Sequence, residues 1–377
     1  PTSTSYPSSG LHKKEGGKMK KLLIILIILS TLMMTGCWDM IEIEDRIFPY
    51  SIGVDINHNQ DKEGKFLFTI SYPNIAAIGK NATSEDPIFI IDDTANSIFE
   101  LMHKLTSRLQ RPIYLKLLNV VLLSEEVAKD SKSMREIVDS LNRDFIISKN
   151  VQMLLVKDNA KELLSTKLES KRQQAIEGSL NSMLNNKQKS SMFIPINFMN
   201  FIEATDISDV AIVPLAMPGE EEIIISGGAI LKDYSLIGYL EPMEVRVLAT
   251  MNDEINQDTI DATYNGADLS VMITGVKSKK KLINEGENLK IKFDIELEGH
   301  IHSFILEPNM AIKTGEMLDA LQNAVAQEVK VDMDELVKKA QKEYGVDMFK
   351  LRNYISKYHP KLWEEIQDNW EVLYPDI

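Results

Sequence analysis

The sequence predicts an α+β protein of several domains, with mixed sheets and packed helices, a β-rich middle and a helical C-terminal region. Three observations carry this. Between Trp38 and about Asn200, short apolar runs alternate with amphipathic helical patterns, as in a mixed α/β layer. Between Asp258 and Phe304, two long runs alternate apolar and polar residues. From Thr314 to Tyr344, Leu318, Leu321, Val325, Val329, Met333, Leu336 and Ala340 form one helical stripe, with Gly345 as its stop. At 377 residues and 44% apolar content the chain has material for two or three cores.

The elements follow in order. Phe66, Phe68, Ile70 and Tyr72 recur at period two and predict a half-buried strand, preceded by a turn over Asn59 to Gly64. Ile98, Leu101, Met102, Leu105 and Leu109 share one helix face, with Asp93 or Thr94 as N-cap. Lys116 to Ser124 predicts a buried strand, Met134 to Asn142 a helix, Val151 to Val156 a strand and Asn159 to Leu168 a helix. The polar stretch Glu169 to Lys189 predicts a surface helix and loop, and Phe198 to Glu203 a short helix. Pro214, Pro218 and Gly219 predict a connection. Ile223 to Leu231 and Leu236 to Leu240 flank a Lys-Asp-Tyr-Ser hairpin turn, and Glu241 to Thr250 and Pro360 to Trp370 predict helices. The expected organisation is an N-terminal α/β domain over 37–210 and a C-terminal α+β region over 211–377, open to a split into 222–252 plus 305–377 and 253–304.

Ahead of these lies a segment that bears on compartment. Met19, Lys20 and Lys21 precede an apolar run of 13 residues from Leu22 to Met34, too short to cross a bilayer as a helix, which takes about 20 residues. This reads as a signal peptide over 19–36, and the polar residues 1–18, which begin without Met, as an upstream extension. Met34, Thr35, Gly36 and Cys37 resemble a bacterial lipobox. The resemblance implies cleavage after Gly36 and a diacylglyceryl thioether and N-acyl group, palmitate for instance, on Cys37. Cys37 is the one cysteine in the sequence, which excludes a disulfide scaffold or a multi-cysteine metal site.

The full chain carries 42 Lys+Arg against 56 Asp+Glu. Residues 1–36 hold five Lys and one Glu, so the mature chain has 37 basic and 55 acidic side chains, a net charge of −18. A body so acidic repels phosphate backbones and anionic headgroups; no nucleic acid is expected as a partner, and the body should stand off a membrane that holds it by lipid alone.

No G-x-S-x-G, H-E-x-x-H, P-loop or post-strand G-x-G-x-x-G occurs, and no enzyme activity or cofactor is expected. His300 and His302 alternate with Asp294, Glu296 and Glu298 on one face of a predicted strand, the best of weak metal candidates, but Phe293, Ile295, Leu297 and Ile301 on the other face suit a half-buried strand with a wet side. Lys277 to Lys281 reads as a solvated turn between strands, and Trp363 and Trp370, seven apart, as core.

Cys37-Trp-Asp, Glu42-Ile-Glu, Gly53-Val-Asp, Gly227-Gly-Ala, Gln341-x-x-Tyr344-x-x-Asp347 and Pro360-Lys-x-Trp363 follow one another along the chain. Together they resemble the Ger(x)C family, the lipoprotein C subunits of bacterial spore germinant receptors. The resemblance implies a lipid-anchored protein on the outer face of the spore inner membrane, acting with integral membrane A and B subunits in nutrient-triggered germination, with no established catalysis. It also implies that the motif residues are fold determinants, and that a further strand would follow Ile377. A solute-binding lipoprotein capturing nutrient directly is the alternative, although its two similar lobes are not what the dissimilar halves suggest.

Overall fold

The computed structural model describes residues 2, 20–26, 46–74, 88–166, 184, 191–220, 223–255, 257–285, 288–304 and 315–377. The chain divides into two units, Pro1–Arg46 and Ile47–Ile377. In the first, residues 20–26 are helical. The second holds the elements below.

Its centre is an eight-stranded mixed sheet of order β3-β2-β1-β4-β5-β6-β7-β8. The strands are β1 (Ser51–Ile56), β2 (Phe66–Pro73), β3 (Ile88–Ala95), β4 (Val120–Ser124), β5 (Gln152–Val156), β6 (Val210–Pro218), β7 (Ile223–Lys232) and β8 (Ser235–Leu240). β1, β4, β5 and β6 are parallel; β2 and β3 add antiparallel on one side, β7 and β8 on the other. The parallel strands read as unbroken apolar runs because both their faces are covered. Val121, Leu123, Met153 and Leu155 enter one core with α1 (Ile98–Thr106), α2 (Glu125–Lys129), α3 (Ser131–Arg143) and α5 (Phe198–Ser208). Val120, Leu122, Leu154 and Val156 face the opposite way, onto Ala160 and Leu163 of α4 (Ala160–Ser165) and Leu184.

Several expectations change. The N-cap of α1 is Ser97, whose hydroxyl accepts the Glu100 N–H, because Asp93 and Thr94 are still paired inside β3. Lys116 lies in a single 3-10 turn, Leu115–Leu117, and the strand begins only at Val120. Pro214 and Pro218 belong to β6, which runs through the expected connection and across residue 210, so one sheet joins the two halves of the chain. Pro214 is tolerated there because the ladder with β7 shifts register between Pro214 and Ala216. The β7–β8 turn places Asp233 and Tyr234 at φ 53° and 66°, the left-handed pair that a two-residue hairpin needs. Of the polar stretch 169–189 only Leu184, which is buried, is among the described residues.

A three-stranded antiparallel sheet, β11-β10-β9, stands apart from the first sheet. It comprises β9 (Asp258–Tyr264), β10 (Ala267–Glu285) and β11 (Asn288–Phe304), linked back through α6 (Pro242–Met251). α7 (Gly315–Lys338) packs Leu321 and Val325 onto Ile260, Ala262, Leu269 and Ile273 of this sheet. It ends in a π-helical turn, Lys339–Tyr344, closed by Gly345 at φ 62° as the sequence suggests. α8 (Leu351–Tyr358), α9 (Pro360–Ile366) and α10 (Trp370–Leu373) then cover the outer side of β6–β8, with Leu336, Ala340, Ile355 and Trp370 packed on Ile230 and Leu240.

Candidate functional site

Cys37 and Gly36, the expected lipidation and cleavage positions, lie outside the described residues. No helix of the described residues is long and apolar enough to cross a membrane.

The basic run Lys277–Lys281 is not a turn but the middle of β10. Its register with β11 sets Lys277 opposite Glu296 and Lys279 opposite Asp294, and Lys277 Nζ lies 3.1 Å from Glu298 Oε1. The alternation that resembled a metal face is thus the acidic half of a cross-strand charge ladder. His300 pairs with Met272, while His302 sits where the β10–β11 register shifts between Ser303 and Ile301. Among the described residues no group of three or more His, Cys, Asp or Glu could hold a metal ion. Trp370 is buried and meets Trp363 edge to face at 5.5 Å, with the Arg352 guanidinium over the Trp363 ring.

The recurring motif residues make three internal contacts. In the first, Gly53 of β1 lets α4 approach so closely that a Cβ would stand 3.0 Å from the Ala160 Cβ. Two residues on, the Asp55 carboxylate accepts the Ala160 and Lys161 N–H groups at 2.7 and 3.0 Å, capping α4 together with Asn159. Burial raises its pKa above the ordinary carboxylate value in spite of those hydrogen bonds.

The second contact joins Tyr344 to residues more than a hundred positions earlier. The Tyr344 ring rests against β8, where a Cβ on Gly238 would come within 2.2 Å of it, and its hydroxyl donates to the Tyr239 carbonyl at 3.3 Å. Gln341, one turn back, donates to the Tyr374 and Ile377 carbonyls at 3.2 and 2.8 Å. Nearby Gly227, at φ 78°, takes the backbone of β7 past the Leu240 carbonyl.

In the third, buried Asp347 accepts the Leu351 and Arg352 N–H groups at 3.0 and 2.7 Å and so starts α8. Lys280 of the basic run reaches into the same place, donating to the Phe349 carbonyl at 2.5 Å and to Asn252 Oδ1 at 3.2 Å. Burial pushes the Asp347 carboxyl up and the Lys280 ammonium down, each partly opposed by the attraction between them. Sequence reading took Lys280 for a solvated residue; its place between Ser278 and Leu282 on the inner side of β10 is the signal that could have shown otherwise.

A cavity of about 900 Å³ lies between the β10–β11 face and α7. Ile291, Ile295 and Leu297 of β11, Val271 of β10, and Leu321, Val325 and Val329 of α7 line it, with Ile377 among the residues bordering it. The lining is mostly apolar, with His300, Gln322, Lys330, Asp334 and Gln341 at intervals, and its main chemistry is apolar contact.

Comparison with known proteins agrees with the motif order. Residues 39–216 match the spore germination protein N-terminal domain, and residues 226–377 match the spore germination B3/GerAC-like C-terminal domain. Spore germination protein YndF of Bacillus subtilis is 24% identical over 94% of this chain and 93% of its own length. Spore germination protein A3 of the same organism is 22% identical over 94% and 93%. The crystal structure of the GerBC protein has the same fold, with a TM-score of 0.57 at 18% identity, covering 86% of this chain and 93% of that one. With two adjoining domain matches in the expected order and the fold of a germination protein, the chain belongs to the Ger(x)C family of germinant-receptor C subunits and has a role in spore germination.

Proposed function

We propose that this protein is the lipid-anchored C subunit of a nutrient germinant receptor, held by Cys37 at the outer face of the spore inner membrane and docked on integral membrane A and B subunits. The observation that carries this is the use of the motif residues: Gly53, Asp55, Gly227, Tyr344 and Asp347 are all engaged in internal packing and capping. A protein whose recurring residues hold its own shape offers surfaces to partners instead of chemistry to a substrate. Tethering confines its search for those partners to a thin layer beside the membrane, raising the effective concentration. Cys37→Ala should release the mature body from spore membranes and weaken nutrient-triggered germination; full retention of the variant in the membrane fraction would overturn the anchor.

A second reading is favoured by one observation, the apolar cavity of about 900 Å³ under β10–β11. Its volume suits a small apolar solute, as in a solute-binding lipoprotein. Calorimetry of the mature chain with candidate nutrients separates the two, since saturable micromolar binding would favour direct capture.

A further inference from the structure

The strands of the large sheet give it two chemically different ends. At the end where β1, β4 and β5 finish, the exposed side chains are charged in both signs: Asp61, Lys62 and Glu63 in the β1–β2 turn, Glu126 and Lys129 after β4, and Lys157 and Asp158 after β5. At the end where those strands begin, the register aligns Ser51, Val120 and Gln152, with Ser71 beside Ser51. Just beyond that row stand large apolar side chains that are exposed. Phe145, in the α3–β5 connection, is 92% exposed; Leu117, ahead of β4, is 53% exposed; and Phe89, opposite Tyr72 at the start of β3, is 45% exposed. Arg111 and Lys116 are exposed among them. The nearby carboxylate of Asp144 is half-buried and accepts the Ile146 N–H at 2.8 Å.

This is also the end where the chain enters the body. Ile47 bridges Ile113, exchanging backbone hydrogen bonds of 3.0 and 2.8 Å with Pro112 and Tyr114, between Arg111 and Lys116. Ile47 stands ten positions after Cys37, and so short a chain spans at most about 36 Å.

We infer that this end of the sheet lies on the membrane: Phe89, Leu117 and Phe145 enter the interfacial layer of an anionic phospholipid bilayer while Arg111 and Lys116 meet its headgroup phosphates. Aromatic and leucine side chains flanked by Arg and Lys are the chemistry that partitions into a lipid interface, whereas the far end, densely charged in both signs, suits water. This local patch meets lipid although the mature chain as a whole is acidic. The inference rests on Cys37 as the anchor, because the short tether is what brings this end to the bilayer.

The test uses the acylated full-length chain, in which modified Cys37 is closed to thiol reagents. A polarity-sensitive fluorophore is attached to Leu117→Cys, to Phe145→Cys and, as the far-end control, to Asp61→Cys. The chains are mixed with vesicles of phosphatidylglycerol and phosphatidylcholine containing a spin-labelled lipid. Probes at 117 and 145 should be quenched and blue-shifted, with the probe at 61 unchanged. Arg111→Glu with Lys116→Glu should weaken that contact by roughly tenfold. Equal response at all three positions would overturn the inference. So would quenching at 117 and 145 that appears only in membranes containing the other receptor subunits, which would mark a protein interface. The mass of Cys37 and flotation of the chain report the anchor separately, so either reading can fail alone.

Discussion

The two sheets of this protein bury their strands to different degrees. In the eight-stranded sheet, Leu122 and Leu154 face one layer and Val121 and Met153 the other, all of them fully buried. In the three-stranded sheet, β11 alternates half-buried Ile291, Phe293 and Ile295 with exposed Lys292, Asp294 and Glu296, and a cavity lies under it. The first sheet is held by packing on both faces; the second packs on one face, against α7 and the core around Phe349, and carries outside a ladder of surface charges, which contributes little per pair. Rigidity therefore belongs to the first sheet and adaptability to the second.

The comparison can be tested at its extremes. Leu154→Ala, between α4 and the parallel strands, should cost about 2–5 kcal/mol by chemical denaturation, whereas Val329→Ala beside the cavity should cost less than about 1 kcal/mol. Equal losses would mean that the second sheet is packed as tightly as the first. Gly238→Ala should cost about 1–3 kcal/mol, since the new methyl overlaps the Tyr344 ring. In a double-mutant cycle Tyr344→Ala should relieve part of that loss; additive effects would show that the ring does not rest there in solution.

The smallest effect is a pH dependence within the first sheet. Because burial raises the Asp55 pKa in the folded state, the fold binds this proton more tightly than the unfolded chain does. The stability it contributes is fully present below the ordinary value of 3.8 and is lost as pH rises through the folded pKa. Asp55→Asn, which cannot titrate, should therefore cost more relative to the parent near pH 4 than at pH 7, as read from paired denaturation curves. A penalty that shrinks on acidification would reverse the sign assigned to Asp55.

Where one physical signal dominated, the sequence could be read directly. The period-two run from Phe66 to Tyr72, the buried runs before Ser124 and Val156 and the stripe on α7 each became the element they suggest, because their burial pattern is that of the element itself. The α+β class and the family resemblance agree with the domain matches and with the GerBC fold. What stayed hidden depends on neighbours far away in sequence. Pro214 is acceptable in a central strand only through a bulge against β7, and Lys277 and Lys280 of β10 find their partners only on β11 and beside Phe349. The cavity was equally illegible, since it arises from a helix and a hairpin that meet incompletely. Cys37 is outside the described residues, and its role remains a proposal.

The passage of β6 into β7 has a further meaning. β6 ends the segment that matches the N-terminal domain, and β7 enters the segment that matches the C-terminal one, yet the two strands share eight paired positions. The seam between these inherited halves is a hydrogen-bonded ladder with a bulge at a fixed place. A recombinant taking its amino half from one relative and its carboxy half from another receives half a seam from each parent, and is viable only where both parents agree on the position of that bulge.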